Sequence, residues 1–380
     1  MPLGSFRLNG LSKKAAGPLG WASWDGTKDG TYADMGLNTL VNFLPINSDR
    51  GVLVARTGFY NISKSGTTLT LGSSIATGLL NASNDDPSGG YAIVDSAGTT
   101  GYWFSINNAN TLYKFGSMSS SGVGTYGTGT FSGISGFNDC FAAKVRSDGK
   151  ILMFGTRFNG SVNVMCRYIW TVTGTTSLTI SGTYTDLGTT ITPANIHSIA
   201  IVDDNTAVCI EGASGSVKAY QLTTTVTQIG STYTTAFSVR RQQNAAVLNR
   251  YDQQHLNHGY ALAMVKNSSN QLVFLKATTS SFTNFTISNP YNDTTQPETG
   301  SIWSAVSLDS TYTMFKMSTG TWKGNGYSTN NLLINATTGA AVRAAGDGDW
   351  EEKGRNFHAP WGTGQIMTNN WTKLRVIKYT

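Results

Sequence analysis

Cleaving a sugar linkage on an all-β scaffold takes two carboxylates, one kept protonated and one ionised. The 380-residue chain offers four Glu (Glu211, Glu298, Glu351 and Glu352) and a larger set of Asp. Asp49, Asp148, Asp204 and Asp309 stand at expected turn tips, where a short carboxylate caps its own backbone. An acidic-sugar site also needs a trio of Arg. Arg56, Arg146, Arg157, Arg167 and Arg240 supply the residue type, but no spacing gathers them. Among the four His, only His255 and His258, near Asp252, form a local cluster, and they read as a solvated loop rather than a metal site. The three Cys (Cys140, Cys166 and Cys209) lie in apolar runs with no metal-like spacing and read as buried free thiols. No Gly-x-Ser-x-Gly element occurs, and the Gly-rich runs follow no strand-to-helix pattern. No catalytic residue, metal or cofactor is assigned.

Aromatic side chains offer a different chemistry, stacking on the apolar face of a sugar. The chain has 9 Trp, 16 Tyr and 16 Phe. Trp322, Tyr327, Tyr251 and Trp361 fall in expected loops, and Arg240 and Arg241 open the longest insertion, Arg240 to Gly259. These six are the candidate ligand-binding residues, since enlarged loops on a rigid scaffold carry specificity.

The scaffold is legible as a repeat. Seven times an apolar run, a tight polar turn and a second apolar run follow one another. Examples are Phe43 to Val54, Ala142 to Phe154 and Ala200 to Ile210. The turns recur about every fifty residues, the length of a four-stranded propeller blade. The runs are short and rich in Val, Ile, Phe and Met, with turn formers between them, which marks hairpins rather than helices. The third unit shows a whole blade: Cys140 to Val145, Lys150 to Gly155, Ser161 to Val172 and Ser177 to Thr183. The last unit ends with Lys373 to Tyr379 and lacks a fourth strand. Thr31 to Met35 is the expected donor, with Phe6 to Leu8 as second choice, because an open edge leaves backbone groups unpaired. The expectation is an all-β chain forming a single seven-bladed β-propeller closed by an N-terminal strand. Six blades plus an irregular unit is the alternative, and a pair of β-sandwiches is more distant. Residues 1–20 form an N-terminal arm and 21–380 the propeller.

Only 13% of residues are charged, so hydroxyl and amide groups solubilise the surface. Net charge is +6, without the continuous basic stripe that nucleic acid requires. No run reaches the length of a membrane span, and the first residues hold no apolar core of signal-peptide length.

The opening residues, Met-Pro-Leu-Gly-Ser-Phe-Arg-Leu-Asn-Gly from Met1 to Gly10, resemble the start of virion structural proteins of marine cyanophages and related tailed phages. The resemblance implies a shared docking tag that plugs different bodies into one socket on the particle. Leu3, Phe6, Leu8 and Leu11 are the residues that would carry docking; as an alternative, Phe6 and Leu8 form an ordinary first strand. Elsewhere the Trp-Asp of WD repeats occurs once, at Trp24-Asp25, and the Gly-Gly of kelch repeats only at Gly89-Gly90. Ser307 to Thr313 is a degenerate echo of the sialidase aspartate box, without its Gly and Trp. The expected function is a non-enzymatic virion component at the particle surface, a fibre, knob or decoration protein on capsid or tail. Its expected partners are other virion proteins through the arm and a host-surface polysaccharide. A glycosidase and a secreted lectin-like propeller are the alternatives.

Overall fold

The computed structural model describes residues 33–37, 40–55, 58–77, 91–94, 100–106, 112–119, 124–130, 137–174, 179–213, 215–235, 259–267, 272–287, 301–307, 311–318, 329–346, 358–362, 365–370 and 373–378. The chain is all-β. The one helical turn among the described residues, Pro193–Asn195, is a 3-10 turn.

Seven antiparallel sheets follow one another along the sequence. The first holds β2 (Leu40–Pro45), β3 (Arg50–Ala55), β4 (Gly58–Ser65) and β5 (Thr68–Thr77). The second holds β6 (Tyr91–Val94), β7 (Thr100–Ile106), β8 (Leu112–Ser119) and β9 (Gly124–Thr130). The third holds β10 (Phe137–Val145), β11 (Ile151–Phe158), β12 (Asn163–Thr173) and β13 (Thr179–Asp186), and the fourth β14 (Ile196–Ile201), β15 (Ala207–Ala213), β16 (Ser216–Leu222) and β17 (Val226–Thr234). In the fifth, three strands are described: β18 (Ala261–Lys266), β19 (Leu272–Ala277) and β20 (Phe282–Thr286). The sixth holds β21 (Ser301–Ser307), β22 (Tyr312–Ser318), β23 (Thr329–Asn335) and β24 (Ala341–Gly346). The seventh is built from both ends of the described chain. To β25 (His358–Pro360), β26 (Gln365–Asn370) and β27 (Lys373–Lys378) it adds β1 (Ala33–Asp34) as fourth strand. Ala33 pairs with Leu374 and Asp34 with Lys373, inside the segment that the sequence marks as donor.

Each unit is a meander, so its strand order fixes two ends. At the hairpin end the first strand turns into the second and the third into the fourth. At the connection end the second turns into the third, and the chain passes to the next sheet. Short side-chain caps set the hairpin turns. Asn47 Oδ1 accepts from the Asp49 and Arg50 amides at 3.1 and 2.8 Å. Asp148 Oδ1 accepts from Lys150 N at 3.2 Å, and Gly149 takes φ +77°, which a side chain resists. Asp203 Oδ1 accepts from Asn205 N and Thr206 N. The expected caps Asp49 and Asp204 are thus replaced by Asn47 and Asp203, because an Asx cap must precede the amides it holds by two or three residues.

The second strand of the third sheet explains the unbroken apolar runs of the sequence. Ile151 to Thr156 are all buried, because both faces of the sheet are covered. Met153, Cys166, Tyr168 and Trp170 face one cluster, which Tyr102 of the second sheet joins. Leu152, Phe154 and Met165 face another, shared with Ile199, Ile201 and Cys209 of the fourth sheet. Four sheets carry an irregularity near the start of the first strand, between Leu40 and Asn42, Cys140 and Ala142, Ile196 and Ser198, and Ile302 and Ser304. A bulge at one repeated place bends each strand in the same way.

First strands stand side by side in succession: β2 by β6, β6 by β10, β10 by β14, β14 by β18, then β21 by β25 and β25 by β2. The fifth and sixth sheets meet differently. Tyr260 OH bonds Thr313 Oγ at 3.0 Å, and Lys276 Nζ donates to Ala336 O at 2.7 Å. Tyr260 and Lys276 lie toward the connection end of their sheet, Thr313 and Ala336 toward the hairpin end of theirs. At this junction side chains from the connection end of the fifth sheet bond the hairpin end of the sixth.

Candidate functional site

A charged cluster ties three strands of the third sheet together at its connection end. Arg157, next to last on β11, donates from Nε to Asp186 Oδ1 at 3.0 Å and from Nη2 to Oδ2 at 2.7 Å. Asp186 closes β13. Strand alternation puts Cys166 of β12 between them, paired in register with Asp186, and its Sγ–H donates to Asp186 Oδ1 at 2.7 Å. The guanidinium lies over the Tyr184 ring, 4.4 Å from its centroid. Tyr168 OH donates to Thr156 O at 3.2 Å.

The electrostatics follow from this packing. The Arg157 hydrogen bonds hold the Asp186 carboxyl below the usual carboxylate range. The Cys166 thiol is pushed up to about 12, first by burial and then by its bond to Asp186. It is a protonated donor, the opposite of an activated nucleophile. Burial also raises the Cys209 thiol and the Tyr168 phenol. The cluster can hold strands in register and keep Asp186 ionised.

Other described carboxylates are engaged in the same manner. Glu211 accepts from Thr192 N at 2.8 Å. Asp34 accepts from Gly36 N at 2.9 Å. Asp204 accepts from the Ser147 amide at 2.9 Å and from its hydroxyl, binding the hairpin turn of the fourth sheet to that of the third. Arg167 Nη2 reaches Asn205 Oδ1 across the same junction at 3.1 Å. Among the described residues no three His, Cys, Asp or Glu gather as metal ligands.

Of the six expected ligand residues, Trp322, Tyr327, Tyr251, Arg240 and Arg241 lie outside the described residues, as do Leu3, Phe6, Leu8 and Leu11. Trp361 requires a correction. It is fully buried, packed at 4.5 Å between ring centroids on Phe43, and shared by a cluster that draws Phe43, Leu53 and Ile62 from the first sheet and Met367, Leu374 and Val376 from the seventh. Its indole N–H donates to Asn47 O at 2.9 Å. A turn residue in its own sheet, it is a core residue between two sheets. Sequence reasoning missed Phe158 and Val162, which flank the β11–β12 turn and are exposed at 49% and 48%. Asn159 Oδ1 fixes that turn by accepting from Ser161 N and Val162 N, each at 3.0 Å. The Phe-Asn-Gly run at the end of an apolar strand was the available signal.

No family model matches the chain, and no curated protein matches it. Among solved structures it is similar to a catalytically inactive virginiamycin B lyase from Staphylococcus aureus with quinupristin, at 13% identity and TM-score 0.46, over 93% of this chain and 100% of that one. It is similar to a streptogramin B lyase at 13% identity and TM-score 0.47, over 93% and 98%. A third is the β-propeller domain of the trilobed protease from Pyrococcus furiosus, at 9% identity and TM-score 0.46, over 91% and 94%. At these identities and scores no activity or ligand is carried over.

Proposed function

We propose that the chain is a non-enzymatic structural protein of a phage particle, folded as a single seven-bladed propeller closed by its N-terminal strand, and that it serves adhesion to a host-surface glycan. The opening from Met1 to Gly10 is the observation that carries the virion role. Leu3, Phe6, Leu8 and Leu11 dock the body on another virion protein. Two features of the fold support a display body. The first and last sheets share one apolar cluster, and β1 completes the last sheet, so pulling on the arm loads a hydrogen-bonded strand. Asp148, Asp203, Asp204 and Asp186 serve turns, a junction between sheets and the register of one sheet. Trp322, Tyr327, Tyr251, Arg240 and Arg241 make the weak glycan contacts, which gain strength by repetition over many copies on one particle.

The test is protein mass spectrometry of gradient-purified particles from a phage encoding this chain, followed by its localisation in a cryo-EM map. The reading expects the chain at fixed stoichiometry on the particle surface. Its absence from washed particles, or hydrolysis of a host polysaccharide by the pure chain, overturns it.

A further inference from the structure

Strand direction in the seventh sheet tells which way the body faces. β1 runs antiparallel to β27, with Ala33 opposite Leu374 and Asp34 opposite Lys373. β27 enters from the connection end and leaves at the hairpin end. β1 therefore begins at the hairpin end, at Ala33, and β27 finishes there, at Lys378. The two ends of the units also differ in kind. Between described strands of one sheet, no connection at the hairpin end exceeds five residues. At the connection end, β5 to β6, β17 to β18, β22 to β23 and β24 to β25 are each joined by ten residues or more.

The hairpin end is braced. Trp361 N–H joins the turn of the seventh sheet to Asn47 in that of the first, and Lys64 bonds Gln365 across the same seam. Ser147 and Asp204 join the turns of the third and fourth. Its charges are largely matched: Asp148 lies 3.2 Å from Arg146 and 3.8 Å from Lys150, and Asp204 lies 3.8 Å from Lys144. Ser48, Thr224, Thr225, Thr337 and Thr338 add exposed uncharged groups. The described part of this surface pairs its charges and carries small polar groups, which suits close packing against a folded protein.

We infer that the hairpin end is the mounting face, seated on the particle protein that receives the segment before Ala33, with the connection end turned outward. The inference rests on the virion reading and adds to it a direction and a surface. It is tested on unmodified protein. Free chain and chain on intact particles are treated with a lysine acylating reagent and, separately, with hydroxyl radicals, and modification is read by mass spectrometry at Lys150 on the hairpin end and Phe158 on the connection end. The expected result is at least fivefold protection of Lys150 on the particle with Phe158 modified as in the free chain. Protection of Phe158 with Lys150 open, or both open alike, overturns the inference and leaves the virion reading standing. Failure to find the chain on particles overturns both.

Discussion

The indole N–H of Trp361 donates to the carbonyl oxygen of Asn47 at 2.9 Å, joining residues 314 positions apart in sequence. The same ring packs on Phe43 and lies under the Lys64 ammonium, 5.2 Å from its centroid. One side chain thus satisfies a turn carbonyl, fills the seam between the first and last sheets and meets a cation. Burial lowers the Lys64 pKa, with Asp49 opposing that shift.

Replacing Trp361 by Phe keeps an aromatic ring but deletes the N–H donor and part of the volume. The expected loss is about 1–3 kcal/mol of unfolding free energy. Urea denaturation checks it, and the loss is expected as a lower midpoint with an unchanged slope.

Asp186→Asn removes the charge that holds Arg157 and receives Cys166. With Asp186 about a third exposed, a cost of about 1–2 kcal/mol at pH 7 is expected. The folded-state pKa of Asp186 is depressed, so its stabilisation is present above the unfolded carboxylate value and fades as pH falls through the folded value. The gap between parent and variant is expected to narrow as pH falls below the unfolded carboxylate range. A gap that does not narrow on acidification contradicts the ion pair as the cause.

The thiols of Cys166 and Cys209 are buried and shifted upward. Iodoacetamide at pH 8 is expected to leave both unmodified in the native protein and to label both in guanidinium, as read by peptide mass spectrometry. Native-state labelling of Cys166 within minutes contradicts its protonated, hydrogen-bonded placement.

Gly182 sits on β13 opposite Trp170, and an added Cβ there falls against Trp170 Cδ1 and 2.6 Å from Ile169 O. Neither the strand backbone nor a fully buried indole can withdraw easily. Gly182→Ala is expected to destabilise by about 1–3 kcal/mol, measured by thermal or urea unfolding.

Much of the scaffold was legible because local signals repeat. Apolar runs and polar turns placed β10 to β13 and β14 to β17 within a few residues of their strands. The missing fourth strand of the last unit pointed to Thr31 to Met35, and β1 falls there. What lay beyond reach depends on how sheets meet. Trp361 reads as a loop aromatic because its burial comes from Phe43, more than three hundred residues away. Asp204 reads as a turn cap, yet its partner is Ser147 of the neighbouring sheet. Arg157 and Asp186 stand 29 residues apart and meet only through the register of three strands. The bond between Tyr260 and Thr313 has no sequence signature, since nothing local sets how one sheet meets the next.

The central claim is that the start of the described chain zips onto its last strand. Asp34 and Lys373 are opposite one another in that pair, and both are exposed. Directly opposed residues of an antiparallel pair lie within the Cα separation that a disulfide spans. Asp34→Cys with Lys373→Cys, oxidised in dilute solution and mapped by mass spectrometry under non-reducing conditions, tests it most directly. The account predicts a near-complete intramolecular link between positions 34 and 373; free thiols at both positions, or links only between molecules, would contradict it.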